Sequence, residues 1–234
     1  MKTKNRICFC LLIVIGLTLI LANSCKKADD YVIKDADSND YTSVTIGTQV
    51  WMVENLKTTK YNNGDLIGTT TPVTLDISGE AAPKYQWAYD GNESNVDTYG
   101  RLYTFYAITD IRGVCPNGWH VPSDAEWTTL TTFLGGESVA GGKLKETGTD
   151  HWRTPNSDAT NETGFTALPG GLRYASGPYV FNDSFGLWWS STEYSEAYAY
   201  YRIVNYDGGD VTRDSSIYGH EKQAGFSVRC LKNN

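Results

Sequence analysis

A chain of 234 residues is long enough to close one sizeable core or two small ones. With 27 acidic against 20 basic side chains its net charge is −7, which argues against nucleic acid as a partner. The 16 Tyr and 7 Trp exceed what a core of this size requires.

Lys2, Lys4 and Arg6 precede an uncharged apolar run from Ile7 to Ala22. As a helix that run reaches only about 24 Å against a hydrocarbon core of about 30 Å, so it reads as a secretory signal rather than a span. Cys25 follows Leu21-Ala22-Asn23-Ser24, which resembles a bacterial lipobox and implies cleavage before Cys25 and acylation of its thiol. Loss of Lys2, Lys4 and Arg6 takes the net charge from −7 to −10. Lys26-Lys27-Ala28-Asp29-Asp30 resembles the acidic sorting tags of some surface lipoproteins, so the expected location is the outer membrane of the cell envelope, facing outward. Cys8 and Cys10 leave with the signal, and Cys115 and Cys230 remain. Two thiols in an oxidising compartment most simply pair; the alternative is two separate buried thiols.

The organisation expected is a signal peptide over 1–24, a polar tether over 25–41 and one domain over 42–234. Asp35-Ala36-Asp37-Ser38-Asn39-Asp40 has the opening rhythm of a calcium loop, but Asp40 stands where the turn needs Gly and Ile46 where the bidentate Glu belongs. Val44 and Ile46 before Gly47-Thr48, with Val50 and Met52 after it, predict a hairpin. Asn62-Asn63-Gly64-Asp65 and Asp90-Gly91-Asn92 are turn signals, and Tyr99 to Tyr106 fits either a strand or a short helix. Ser123 and Glu126 form a capping box that opens a helix over about 123–134. Its apolar face is Trp127, Leu130 and Leu134, and Gly135-Gly136 stops it.

Residues 140–145 are ambiguous and 146–163 mostly loop, in which Trp152 is either an anchor or a functional group. Phe165 to Tyr174 alternates like a strand around a Pro-Gly-Gly turn, and Leu187 to Thr192 is a further strand. Tyr198, Tyr200, Arg202 and Val204 share one face of the next, with Tyr201 and Ile203 on the other. Asp207-Gly208-Gly209 closes a hairpin, and Phe226, Val228 and Cys230 form the buried face of the last strand. A single capped helix among strands and loops indicates an α+β fold.

Signatures of catalysis are missing. There is no phosphate loop, no histidine pair at metal spacing among His120, His151 and His220, and no Gly-x-Ser-x-Gly elbow beside Ser190-Ser191. The expectation is therefore a protein that is not an enzyme and carries no metal and no cofactor. Aromatic faces stack on the C–H side of sugar rings while their polar edges hydrogen-bond. The candidate binding residues are Trp152, Tyr174, Tyr179, Trp188, Tyr198 and Tyr200, with Asp183 and Arg202 as polar fixers, and the foremost ligand is a glycan. A structural or adhesive component contacting another surface protein is the alternative, and an enzyme of unrecognised type a second.

CPNGWHVPSDAEWTTL at 115–130, LWWSSTE at 187–193, GFSVRCLK at 225–232 and VTIGTQVWMVENLKTTKYNNGD at 44–65 resemble the blocks of the Fibrobacter succinogenes major paralogous domain. That family is similar to surface and secreted proteins of Bacteroidetes and Fibrobacteres, and it brings no catalytic residues to this sequence. More remotely, VPSDAEW resembles the helix-opening segment of the formylglycine-generating, sulfatase-modifying proteins, which share a C-type-lectin-like core. The lectin resemblance implies a helix pinned by a Cys115–Cys230 disulfide to the C-terminal strand. The Glu-Pro-Asn or Gln-Pro-Asp sugar motif is absent, Phe181-Asn182-Asp183 stands where Trp-Asn-Asp is usual, and the oxidase's cysteine pair is missing.

Overall fold

The computed structural model describes residues 32–214 and 221–234. The expected signal peptide, the acylated Cys25 and His220 lie outside the described residues.

Order begins earlier than the composition suggested. Strands β1 (Ile33–Lys34) and β2 (Asp40–Tyr41) form an antiparallel hairpin, with Ile33 and Tyr41 in the core, so residues 33–41 belong to the folded body rather than to a tether. Two carboxylates hold it together. Asp35 accepts from the Asp37 and Asn39 amides at 2.9 and 3.0 Å and from the Tyr41 hydroxyl at 2.5 Å, closing the turn. Asp37 accepts from the Thr59 amide at 2.6 Å, from the Thr58 and Thr59 hydroxyls, and from Lys60 at 2.9 Å. The rhythm that imitates a calcium loop is thus a polar staple between the hairpin and residues 58–60.

The predicted hairpin follows as β3 (Ser43–Ile46) and β4 (Gln49–Met52), with Gly47 at φ 61° in the turn. Strand β5 (Gln86–Ala88) pairs with β6 (Arg101–Tyr103), preceded by the one-turn helix α1 (Val96–Tyr99) and followed by α2 (Phe105–Ile108). The ambiguous stretch from Tyr99 is therefore strand first and helix second. A short strand β7 (Trp119–His120) leads to α3 (Asp124–Phe133). Its capping box is complete: the Ser123 hydroxyl accepts from the Glu126 amide, and the Glu126 carboxylate accepts from the Ser123 amide at 2.7 Å. Trp127, Leu130 and Leu134 are buried as the periodicity predicts.

Helix α4 (Glu137–Leu144) contains Gly141-Gly142, a weak helical pair. The reason is contact: a Cβ at Gly141 would lie 2.0 Å from the Asp210 carbonyl, and one at Gly142 2.4 Å from that of Asp158. Strand β8 (Gly170–Arg173) takes in the Gly-Gly pair expected to be a turn. It pairs with β9 (Tyr179–Asn182). Strands β10 (Phe185–Glu193), β11 (Ala199–Asn205) and β12 (Val211–Asp214) form an antiparallel sheet, and β13 (Leu231–Lys232) ends the chain.

The last segment threads the whole body. Gly225, Phe226 and Ser227 bridge to Arg173, Tyr103 and Trp188, and Leu231 pairs with both Trp51 and His120. Both faces are buried, so the expectation of one buried face is corrected: Ser227 and Arg229 are as enclosed as Phe226, Val228 and Cys230. Period-two alternation sorts side chains between two cores. Met52, Leu187, Trp189, Tyr201, Ile203, Phe226, Val228 and Cys230 enter one core, while Trp51, Trp188, Val204 and Leu231 enter the other with Trp127, Trp152 and Phe165.

Cys115 and Cys230 are bonded, with Cα atoms 6.0 Å apart across 115 positions of sequence. Closing so long a loop contributes about 4–5 kcal/mol in the chain-entropy account. The double Cys115→Ser, Cys230→Ser variant should lose stability of that order in calorimetry, and an unchanged melting temperature would remove the disulfide from the list of main restraints.

Burial alone would raise the Asp37 pKa, but its hydrogen bonds from Lys60, Thr59 and Thr58 prevail and hold it down at about 2 against the ordinary 3.8. A carboxyl depressed by folding stabilises fully above its unfolded pKa and loses that contribution as pH falls through the folded value. Asp37→Asn should therefore flatten the decline of the urea midpoint between about pH 4 and pH 2. Parallel pH profiles for the two proteins would show that the staple has no energetic weight.

Candidate functional site

Three of the eight candidate binding residues are interior. Trp152 is 1 % exposed and donates its indole N–H to the Ala167 carbonyl at 3.0 Å, which makes it the anchor of the 146–163 loop. Trp188, also 1 % exposed, packs among Trp127 and Phe165 and donates to Asn55 Oδ1 at 2.8 Å. Arg202 is fully buried: Nη1 donates to Asp124 Oδ1 at 2.8 Å and Nη2 to the Asp124 carbonyl and the Thr128 hydroxyl. It ties β11 to the start of α3 and has no surface with which to meet a ligand. The reason is the double core, because strands buried on both faces leave no outward side for the alternation to fill.

The remaining five are at or near the surface but not in one place. Tyr179 is half-buried against Tyr89, its ring centroid 5.4 Å away, and its hydroxyl donates to the Val73 carbonyl. Burial pushes its pKa up to about 12. Tyr198 and Tyr200 are half-buried near exposed Tyr194; the Tyr200 ring lies 5.3 Å from that of Tyr194 and 4.1 Å from the Arg213 guanidinium. Asp183 is exposed in the turn between β9 and β10. Tyr174 alone enters a defined cavity.

That cavity, about 270 Å³, follows from strand register. Leu187 faces Ile203, Ile203 faces Thr212, and Phe185 faces Asn205. With Asp210 two positions before Thr212, these side chains fall on one face of the β10–β11–β12 sheet. Leu172 and Tyr174 from β8 and its exit close one side, and Phe181 closes the rim. The floor is apolar and one edge is polar, where the Thr212 hydroxyl donates to Asp210 Oδ2 at 3.1 Å.

Phe181 is 43 % exposed and sits at φ 66°, a left-handed conformation that bulky residues rarely adopt. The turn imposes it. The Ser184 amide donates to the Phe181 carbonyl at 3.0 Å, the Asp183 amide to that of Pro169, and the Arg153 amide to that of Asp183 at 2.7 Å. The ring lies 4.8 Å from that of Phe185, steeply tilted to it at 72°. Sequence reasoning missed Phe181, Phe185, Asn205, Asp210 and Thr212. Phe181 and Phe185 flanking Asn182-Asp183-Ser184 was the available signal, since a hairpin turn projects its flanking residues together.

A larger, shallower hollow of about 520 Å³ lies beside α4, but its Lys143 and Glu162 already pair at 3.2 Å. Among the described residues no group of three or more His, Cys, Asp or Glu is placed to hold a metal ion. His120 bonds Glu126 at 2.9 Å and Asn233 at 2.7 Å, and His151 bonds Glu146.

The family model of the Fibrobacter succinogenes major domain matches residues 44–232. The chain belongs to this family. No curated protein and no solved structure matches it, so the remoter likeness to lectins and sulfatase-modifying proteins gains no support there. Most of the matched span is scaffold: the blocks quoted from the sequence carry the capping box, the disulfide and the buried Trp188 and Arg229. The groove adds residues outside those blocks, among them Tyr174, Phe181 and Asp210.

If Arg202 is scaffold, Arg202→Met should cost about 3 kcal/mol in denaturant unfolding, because Asp124 loses a buried partner. Asp183→Asn, which keeps at φ 108° a residue type that tolerates positive φ and an oxygen for Ser184, should stay within about 0.5 kcal/mol. Equal effects for the two would contradict this division of roles.

Proposed function

We propose that this member of the Fibrobacter succinogenes major domain family is an outer-membrane lipoprotein, anchored through Cys25 and displayed at the cell surface, whose groove binds a glycan without catalysis. The observation that carries this reading is the groove's two-sided chemistry. An aromatic and aliphatic floor suits the C–H face of a sugar ring, and Asn205, Asp210 and Thr212 along one edge suit its hydroxyls. The signal and lipobox-like sequence before Cys25 support the anchor. A C-type-lectin-like arrangement is part of the proposal, supported by the disulfide that ties the approach to α3 to the C-terminal segment.

A second reading, adhesion to another protein, draws on the patch of Tyr194, Tyr200 and Arg213. Exposed aromatics stacked with an arginine are the residue types that anchor protein interfaces.

On a glycan array the mature protein should give hits that Tyr174→Ala and Phe181→Ala each reduce at least about tenfold, with melting temperatures unchanged. An array without hits, together with capture of a surface protein that is lost in Tyr200→Ala, would replace the glycan reading with adhesion.

A further inference from the structure

Granted the glycan reading of the groove, we propose that it selects one uncharged pyranose ring and rejects uronic and sulfated sugars. The size comes first. At about 270 Å³ the cavity falls just below the range of about 300–1,000 Å³ that encloses drug-sized ligands, so it holds a single ring rather than a run of them.

The shape is set before any ligand arrives. Phe181 is fixed by the backbone bonds of its turn, and its ring stands steeply tilted to that of Phe185. One plane meets the face of a pyranose and the other its edge, on a turn whose backbone is already hydrogen-bonded.

Charge then chooses among rings of that size. Asp210 is the single charged side chain among the described residues lining the groove. The Thr212 hydroxyl is its hydrogen-bond donor there. Lys145 interacts electrostatically with Asp210, but its ammonium is fully buried and bonded to the carbonyls of Ser157, Asn205 and Gly208 at 2.6–3.0 Å. It cannot turn outward to meet an anion. A carboxylate or sulfate on the ligand would therefore enter beside Asp210 with no cation among the described lining residues to receive it. A hydroxyl in the same place donates to the Asp210 carboxylate or to the Asn205 amide oxygen, which makes a charge-assisted bond out of the same geometry.

The full chain is titrated with methyl glucopyranoside and methyl galactopyranoside and with the methyl glycosides of glucuronic and galacturonic acid, whose free carboxyls are ionised at neutral pH. Binding is read by saturation-transfer NMR and by shifts of groove resonances. At least one neutral glycoside should bind at least about tenfold tighter than its uronate, which is about 1.4 kcal/mol. Asp210→Asn should shrink that ratio below about threefold, and Thr212→Lys should invert it, with melting temperatures confirming that both variants fold. Uronates that bind the groove as tightly as their neutral partners, or a ratio that neither variant moves, would overturn the charge selection and leave the glycan reading intact. If no glycoside of either kind perturbs the groove, the glycan reading itself fails and this inference with it.

Discussion

The structure depends on one buried guanidinium. Arg229 is 1 % exposed and has no carboxylate in contact among the described residues; Nη1 donates to the Phe165 carbonyl at 2.6 Å, and Nε and Nη2 converge on Asn55 Oδ1 at 3.0 and 2.7 Å. Its plane lies 4.3 Å from the Phe165 ring centroid. Asn55 Oδ1 also receives Trp188, and the other end of the amide donates to the Tyr99 carbonyl. One charge thus binds four separate stretches of chain at the junction of the two cores. Taking a cation out of water is costly, and burial pulls the Arg229 pKa down; the cost is offset only because oxygen acceptors meet the fork.

The same solution recurs wherever loops run inward. Arg173 donates to the carbonyls of Val73, Tyr174 and Leu75 and stacks over Trp87 at 4.2 Å. Lys145 gathers three carbonyls from the 146–163 loop and the β11–β12 hairpin, and burial pushes its pKa down. A fold with so much irregular backbone buries carbonyls that no sheet or helix can satisfy. A long cationic side chain with several donors is an economical partner for them, because one residue serves acceptors from distant segments at once. This also accounts for the tryptophans. Six of them are buried, and the indole N–H groups of Trp152, Trp188 and Trp189 reach a carbonyl or amide oxygen in the same manner.

This is where the limit of the sequence lies. The helix at 124–133, the hairpins around Gly47 and Gly208 and the disulfide were legible because each is written in local spacing or in cysteine arithmetic. The burial of Arg202 was not, because alternation tells which residues share a face and not whether a second core covers that face. Trp152 and Trp188 stayed open between core and display for the same reason: an aromatic residue packs inside as readily as it binds outside. Residues 33–41 were read as tether because their composition is acidic, while the donors that make Asp35 and Asp37 structural come in part from Thr58, Thr59 and Lys60, some twenty residues on. Polar residues enter a fold through partners, and partners are a tertiary property.

The groove follows from the same alternation carried to its end. Leu187, Trp189, Tyr201 and Ile203 lie on one face of the β10–β12 sheet, and over most of its length that face is the first core, with Tyr201 bonded to Asp214 at 2.9 Å and packed on Phe226. Toward Phe185 and Asn205 the central C-terminal segment has already turned away to pair with β8 at Gly225, and what covers the face is the short β9 turn. The cavity is therefore the open end of a core rather than a pocket added to a finished surface. Its floor is held by the restraints that hold the interior, whereas Phe181 at the rim lies in a turn outside the quoted family blocks. The rim can therefore change without disturbing the buried arginines. Rim and floor are thus held by different means, the first by the backbone bonds of one turn and the second by the packing of the first core.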